Sequence, residues 1–463
     1  VFPQRRVCGQ TLSCPAPRAS TSRPGRPMLL PCRGRIRKQH ISRPAPALAV
    51  LAGACAFVVA AVVRNLALLK WQLHPRPLGR HPVGSLRARL PCKRNGQGRG
   101  LLAQVSYPAD EQGGSFAVPA ADYCRPRIIS EIAKGYSIPR VLLQAILGGR
   151  PQVDPPLQVL PADALSDGGR WPIVVFSSGL WGCCEFYTQL CREVASAGYV
   201  VVSVEHEDGT GLASVCRETG EVIPYQEQPK WPYDIVDFNG PFLQRRAVEL
   251  EELVEALVGA TRSPSSLTEQ SQPDACSDDA LLQVLRHADL RRVTLVGHSF
   301  GSAAVMHAVT VSPEFWSSMC SGVLLLDLWP GPLTNDTTGA AFDSLGAQMP
   351  VPFVMLLSEN FQHSEWYSAS FRRLVEAAGE RCLAAAGVPG TCHQWVSDAN
   401  FWAPGWVLRW LALMGPRDHR EAHAATARAV QASAGALSSH KGPSAAKLAD
   451  VFATLGLEPV VPA

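Results

Sequence analysis

From Leu101 onward the chain alternates two kinds of segment. Short, continuous apolar runs recur: LLAQVSY (101–107), PIVVFS (172–177), YVVVSV (199–204), RVTLVG (292–297), VLLLD (323–327) and PFVMLLS (352–358). They are rich in β-branched residues and lack an alternating polar face, which predicts strands buried on both sides. Between them lie stretches with helical spacing. FYTQLCREVASAG (186–198) ends in glycine, and LQRRAVELEELVEALVGA (243–260) carries a charged and an apolar face. Strand and helix in turn predict an α/β domain, with a mostly parallel central sheet and helices on both faces. Ligands of such sheets bind beyond the carboxyl ends of the strands.

The pattern divides the 463 residues into five parts. Residues 1–46 are rich in Arg, Pro and Ser, show no apolar period and read as a basic disordered leader. The chain opens on Val1 rather than methionine, as a fragment would. Residues 47–63, ALAVLAGACAFVVAAVV, form an uncharged run that reads as a transmembrane or signal segment. This favours a membrane-anchored or secretory-pathway protein, with an organelle transit peptide as the alternative. Residues 64–100 read as a basic, Pro- and Gly-rich linker, 101–415 as the folded domain and 416–463 as a tail without an assigned role.

Charge sharpens the division. Residues 1–100 hold 19 of the 43 Lys and Arg and none of the 39 Asp and Glu. The predicted folded part is therefore acidic, which argues against nucleic acid as its partner. The 14 cysteines form no C-x-x-C pair and no Cys/His zinc ladder. They read mainly as core thiols, with a disulfide between Cys382 and Cys392, or within the Cys183–Cys191 group, open in an oxidising compartment.

One strand-to-helix junction carries chemistry. Gly297-His298-Ser299-Phe300-Gly301 follows the run RVTLVG and precedes the small-residue stretch SAAVMHAVT. The pattern G-x-S-x-G at such a junction is a nucleophile elbow. Its tight turn exposes the serine Oγ at the head of a helix. Side chains at Gly297 or Gly301 would clash there. A serine hydroxyl needs a base, and the base needs an orienting acid. Of 12 histidines, His307, His363, His393, His419, His423 and His440 follow the serine. His307 lies within the helix after the elbow, and the last three lie in a polar tail. His393, in GTCHQW, follows a glycine-containing turn and is the candidate base. Two acids compete: Asp327 closes the run VLLLD, and Glu359 closes VPFVMLLSE. The general hydrolase layout favours the later one, and periodicity does not choose between them.

The chain resembles the platelet-activating-factor acetylhydrolases, the lipoprotein-associated and type II intracellular phospholipase A2 family. Matching segments run in matching order from about Leu101 to about Met414. AQVSYPAD resembles the family's strand ending in YYP, WPIVVFSSGLWG its WPLVVFSHGLG-like segment, and GYVVVSVEHED its VEHRD. VGHSFG is identical to the family's core motif. LLLDLWPGPL resembles LDAWMFPLG, LLSENFQ resembles INSEYFQ, and GTCHQWVSDANF resembles GSVHQNFADF. The family's HGLG reads Ser178-Gly179-Leu180-Trp181 here. A histidine has become serine and a glycine has become tryptophan. Gly301-Ser302 stands where the family often has two glycines.

The resemblance implies an α/β-hydrolase fold and a triad of Ser299, Asp327 and His393. It also implies an oxyanion hole formed by the backbone N–H groups of Leu180 and Phe300, and a chemistry that needs no cofactor or metal. The implied substrate is a glycerophospholipid with a short or oxidised sn-2 acyl chain, reached through membrane or lipid-surface contact. KGYSIPRVLLQAILGG (134–149) corresponds to a lipid-docking segment of the family, and reads equally well as a core helix. The polar, aromatic-bearing segment 209–242 is a candidate lid or a surface insertion, and Glu205 and His206 read as structural polar groups. The alternatives are another carboxylesterase of the same fold (chlorophyllase-, cutinase- or dienelactone-hydrolase-like), a non-catalytic binding protein, and a membrane-tethered scaffold.

Overall fold

The computed structural model describes residues 74–90, 100–115, 122–148, 154–161, 169–217, 219–230, 232–262, 278–336, 340–403, 405–410, 412–439 and 444–460. Its strands are β1 (Val83–Leu90), β2 (Leu101–Pro108), β3 (Trp171–Ser177), β4 (Val200–Val204), β5 (Ala213–Val215), β6 (Val222–Pro224), β7 (Ala288–His298), β8 (Cys320–Leu326), β9 (Phe353–Ser358), β10 (Cys382–Val388) and β11 (Glu458–Pro459). Nine of them form one sheet in the order β1-β2-β4-β3-β7-β8-β9-β10-β11. The stretch from β4 to β10 is parallel throughout. β2 is antiparallel to both its neighbours, and β11 closes the far edge antiparallel to β10. This is the α/β-hydrolase fold, α/β with helices on both faces.

The strand period of two splits the core into two layers. Ile173, Val175, Leu295, Leu325 and Met355 face one way, towards the helices Ile235–Arg262, Phe300–Val311 and Ser368–Ala378. Val174, Phe176, Val296, Leu324 and Leu356 face the other way, towards Pro126–Gly135, Thr188–Ser196 and His419–Ser438. Both faces are dry, which is why these strands read as unbroken apolar runs.

The sheet extends beyond the predicted domain at both ends. The expected linker 64–100 contributes β1, paired with β2 along its whole length. Its Arg87 and Arg89 are buried with the ends of their guanidinium groups hydrogen-bonded. Arg87 Nη2 donates to the carbonyls of Asp122 at 2.9 Å and Tyr123 at 3.0 Å, and Arg89 Nη1 donates to Gly100 at 3.1 Å. The expected tail holds the helices His419–Ser438 and Ala445–Thr454, which bury Ala429, Val430, Leu437, Leu448 and Phe452 against the sheet. Asp418 caps the first of them, accepting from Arg420 N–H at 2.9 Å.

Segment 134–149 enters the helix Arg140–Leu147, which buries Leu143 and Leu147 and exposes Val141. Segment 209–242 forms the β5–β6 hairpin and the start of the long helix Ile235–Arg262. The eight described cysteines that were candidates for pairing or core packing are free thiols, Cys183, Cys191, Cys382 and Cys392 among them. Cys382 opens β10 and Cys392 lies past its end, so a strand of about 20 Å separates them, at roughly 3.3 Å per residue. Among the described residues no helix is long and apolar enough to cross a membrane. The leader 1–46 and the apolar segment 47–63 lie outside the described residues.

Candidate active site

The elbow stands at the carboxyl end of β7. Ser299 adopts φ 57° and ψ −120° and precedes the helix Phe300–Val311. A non-glycine residue in that region is strained, by of order 1–3 kcal/mol, and persists only where its surroundings enforce it. Here Ser299 N–H donates to Leu326 O at 2.9 Å, and Ser302 Oγ donates to Gly297 O at 2.5 Å. The flanking glycines are sterically required. A Cβ on Gly297 would lie 2.4 Å from Gly301 O, and one on Gly301 would lie 2.1 Å from Ser177 O.

The structure brings three sequence-selected side chains into one line. Ser299 Oγ lies 2.9 Å from His393 Nε2, and His393 Nδ1 lies 2.9 Å from Asp327 Oδ2. Asp327 is fully buried at the end of β8 with φ 44°, a second strained turn. Its carboxylate also accepts from Ser358 N–H at 2.5 Å and Ser358 O–H at 2.7 Å. Burial pushes this carboxyl up to about 7, against the pull of the nearby His298 and of the Ser358 bonds. Burial also holds His393 down to about 3. The imidazole is therefore neutral near pH 7, with Nε2 able to take a proton.

Glu359, the rival acid, reaches the same loop by another route. It accepts from Gly390 N–H at 2.6 Å and so holds the turn that precedes His393. Phe361, two residues on, stacks flat on the His393 ring, with centroids 4.5 Å apart and planes 7° apart. The segment Ser358–Phe361 thus fixes the carboxylate, the loop and the ring together.

The loop after β3 lies against the elbow, for a Cβ on Gly179 would meet Ser299 Cβ at 3.2 Å. Its amides are sorted. Gly179 N–H donates to Tyr187 Oη at 3.2 Å, and Trp181 N–H donates to Thr210 O at 2.8 Å. The Leu180 N–H between them, and the Phe300 N–H at the head of the helix, donate to no acceptor among the described residues. Two free amides beside Ser299 can receive a developing negative charge, aided by the helix N-terminus. Trp181 takes φ 56°, where the family pattern has glycine, and packs against Tyr136 and Phe186.

Beneath this loop sits buried support, in which Glu205 and His206 take the structural role read from the sequence and Arg246 and Glu249 had no sequence signal. Arg246, from the long helix, donates to Ser178 O, to Asp208 Oδ2 at 2.8 Å and to Thr210 Oγ1 at 2.6 Å. Its guanidinium lies 4.8 Å from the centroid of the Phe300 ring. Ser177, His206 and Glu249 form a second line of the same type, with Oγ to Nε2 at 2.8 Å and Nδ1 to Oε2 at 2.8 Å. All three are at most 2% exposed, so the line anchors the strand end and has no opening for a substrate. Glu205 likewise pairs with the buried Arg125, which also holds Glu185.

His298, Asp327 and His393 offer ligand atoms within 4.8 Å of one another. Those atoms are already committed to hydrogen bonds, His298 to Tyr187 and to the His393 carbonyl, and Asp327 to Ser358 and His393. The donor set fits a proton-transfer line better than a metal site. His298 and Tyr187 were not singled out by sequence. One is the variable residue of the motif, and the other sits in the mixed stretch Glu185-Phe186-Tyr187-Thr188-Gln189 without a pattern to mark it.

The family model described as platelet-activating factor acetylhydrolase, isoform II, matches residues 68–442. A platelet-activating factor acetylhydrolase from Gallus gallus is 26% identical over 273 residues, covering 56% of this chain and 60% of the relative. One from Canis lupus familiaris is 24% identical over 245 residues, covering 51% and 50%. The chain thus spans between half and three fifths of these relatives' length. A solved ferulic acid esterase from Streptomyces cinnamoneus superposes with a TM-score of 0.48 at 17% identity, covering 78% of this chain and 91% of that one.

Proposed function

The chain belongs to the platelet-activating factor acetylhydrolase, isoform II, family, and from that premise we propose that it is a serine ester hydrolase. Its substrate is the sn-2 short-chain or oxidised acyl ester of a glycerophospholipid. The observation that carries the reading is the continuous line from Ser299 Oγ through His393 to Asp327, at 2.9 Å and 2.9 Å, beside two unspent backbone amides.

In this reading Ser299 Oγ attacks the ester carbonyl as its proton passes to His393 Nε2. The tetrahedral oxyanion is held by the N–H groups of Leu180 and Phe300, each such donor being worth about 2.7–4 kcal/mol in the barrier. Asp327 holds the Nδ1–H tautomer and stabilises the imidazolium while it exists. The C–O bond to the glycerol breaks, and His393 returns its proton to the leaving lysophospholipid oxygen. Water, deprotonated by His393, then releases the acid and restores Ser299. Calcium independence is part of this reading, since Ser299, His393, Asp327 and the two amides are given every catalytic role apart from the attacking water, and the chelator in the assay below tests it.

The test is a substrate panel with calcium chelator present: 1-alkyl-2-acetylglycerophosphocholine, a 2-palmitoyl counterpart and p-nitrophenyl butyrate. The proposal expects the 2-acetyl lipid to exceed the 2-palmitoyl lipid in kcat/KM by about tenfold or more, since chain length is read in the acyl pocket. Turnover of p-nitrophenyl butyrate with neither lipid cleaved points to another carboxylesterase of this fold. Trp181, in the loop after β3 beside the Leu180 amide and in place of a glycine, is the feature that would favour that outcome.

A further inference from the structure

His298 uses both ring nitrogens inside the site. Nε2 lies 3.0 Å from the main-chain oxygen of His393, and Nδ1 lies 2.9 Å from Tyr187 Oη. The same phenol oxygen lies 3.2 Å from Gly179 N, one residue before Leu180. The two ends of this line fix every proton in it. A carbonyl oxygen only accepts, so His298 Nε2 must carry a proton. In the neutral ring Nδ1 must then accept, so Tyr187 donates to it. The phenol oxygen is left to accept the Gly179 amide. Each ring nitrogen of His298 is used once, and Tyr187 Oη donates once and accepts once.

The line is also sealed. His298 is 1% exposed and Tyr187 is 3% exposed. Burial, then the neighbouring His393, hold His298 down to about 3, and burial pushes the Tyr187 phenol well up. Both stay neutral across the working range, so the proton order persists. The His298 ring lies against His393, with centroids 4.7 Å apart. Neither side chain is needed for any bond made or broken at Ser299.

Resting on the roles proposed above for Ser299, His393 and Asp327, we propose that His298 and Tyr187 are positioning residues. They form a relay that ties the backbone of the base-bearing loop to the backbone of the loop presenting the Leu180 amide. The two loops leave different strands, β10 and β3, and this side-chain pair bridges them. Loosening it lets the base and the anion-binding amide drift independently. The loss falls on the transition state, which needs both at once, and spares substrate binding. Misplacement by about 1 Å can cost about 100-fold in rate.

The experiment compares the full chain with Tyr187→Phe, His298→Gln and His298→Leu. It reads kcat and KM on the 2-acetyl lipid, the thermal midpoint, and the side-chain 15N spectrum of His298. Tyr187→Phe keeps the ring and removes only the hydroxyl. The relay predicts a fall in kcat of about 10- to 100-fold with KM within about twofold. It also predicts that wild-type His298 is wholly the Nε2–H tautomer and that Tyr187→Phe makes it a mixture. His298→Gln, whose amide can still donate to the His393 carbonyl, should keep more activity than His298→Leu. Wild-type kcat in Tyr187→Phe with an unchanged His298 spectrum overturns the relay. So does a kcat loss that follows the thermal midpoint equally in the Gln and Leu variants, the mark of simple packing. Ser299→Ala is run alongside: esterase activity that survives it removes the proposed function itself, whereas its loss with Tyr187→Phe unaffected removes the relay alone.

Discussion

Replacing Asp327 by Asn changes one atom, and the surrounding donors decide how the amide must sit. Oδ1 accepts from the Ser358 N–H at 2.5 Å, a backbone donor that cannot reverse. The Asn oxygen must therefore take that place, which turns the amide NH2 to where Oδ2 now meets Ser358 Oγ at 2.7 Å and His393 Nδ1 at 2.9 Å. The Ser358 hydroxyl can rotate and accept. His393 Nδ1 can accept only by giving up its proton. The ring then carries its proton on Nε2, facing a Ser299 hydroxyl whose proton it can no longer take. The wrong tautomer costs about 10⁴ in kcat, or about 5 kcal/mol at 1.36 kcal/mol per decade. Side-chain volume is unchanged, so a thermal melt run in parallel should move little. Glu359→Gln is the matched control, because its carbonyl oxygen can still accept the Gly390 N–H, and it should keep most of the activity. The assay is steady-state hydrolysis of the 2-acetyl lipid. An Asp327→Asn enzyme within about tenfold of wild type would refute the tautomer reasoning. An inactive Glu359→Gln beside it would mean that the other carboxylate orients the base.

The pH profile has a definite sign. His393 is held down to about 3 and Asp327 pushed up to about 7, so the active pair carries a neutral ring and one negative charge. Lowering the pH adds a proton to that pair; kcat/KM should fall below about pH 7 and level off above it, and a rate that rises towards acid would contradict the assignment. Gly301→Ala places a Cβ 2.1 Å from Ser177 O. The clash should lower stability by about 1–3 kcal/mol, seen as a lower denaturation midpoint, and slow reaction with a fluorophosphonate; a variant unchanged in both would mean that the elbow has more room than its geometry shows.

The six central strands were legible because both faces of the sheet are dry, which leaves the apolar runs unbroken. β1 was not legible. Its Arg87 and Arg89 read as linker charges, and their burial is made tolerable by backbone carbonyls of Asp122, Tyr123 and Gly100 and by the buried Glu185, 3.5 Å from Arg87. β10, CLAAAGV, has Val388 as its one β-branched residue and is otherwise mostly alanine, so little marks it as a strand. The helix His419–Ser438 buries a face made largely of alanine, so its amphipathic pattern is faint. The elbow could be located because its glycines answer to a steric demand visible in five residues. Choosing between the acids could not be done from periodicity, since Asp327 and Glu359 both end strands and both reach the loop before or at His393. The backbone turn at Asp327, φ 44°, aims one carboxylate at the ring, while Glu359 meets the amide of Gly390. The support from Arg246, Tyr187 and His298 depends on contacts across 68, 8 and 95 positions, which no local pattern carries.

The most direct measurement is mass spectrometry of the protein after rapid mixing with the 2-acetyl lipid and an acid quench. An acetyl group on the peptide containing Ser299, absent from Ser299→Ala and trapped poorly by Asp327→Asn, is the predicted result. Lipid cleavage with no acyl mass on that peptide, or with the mass on another residue, would contradict it.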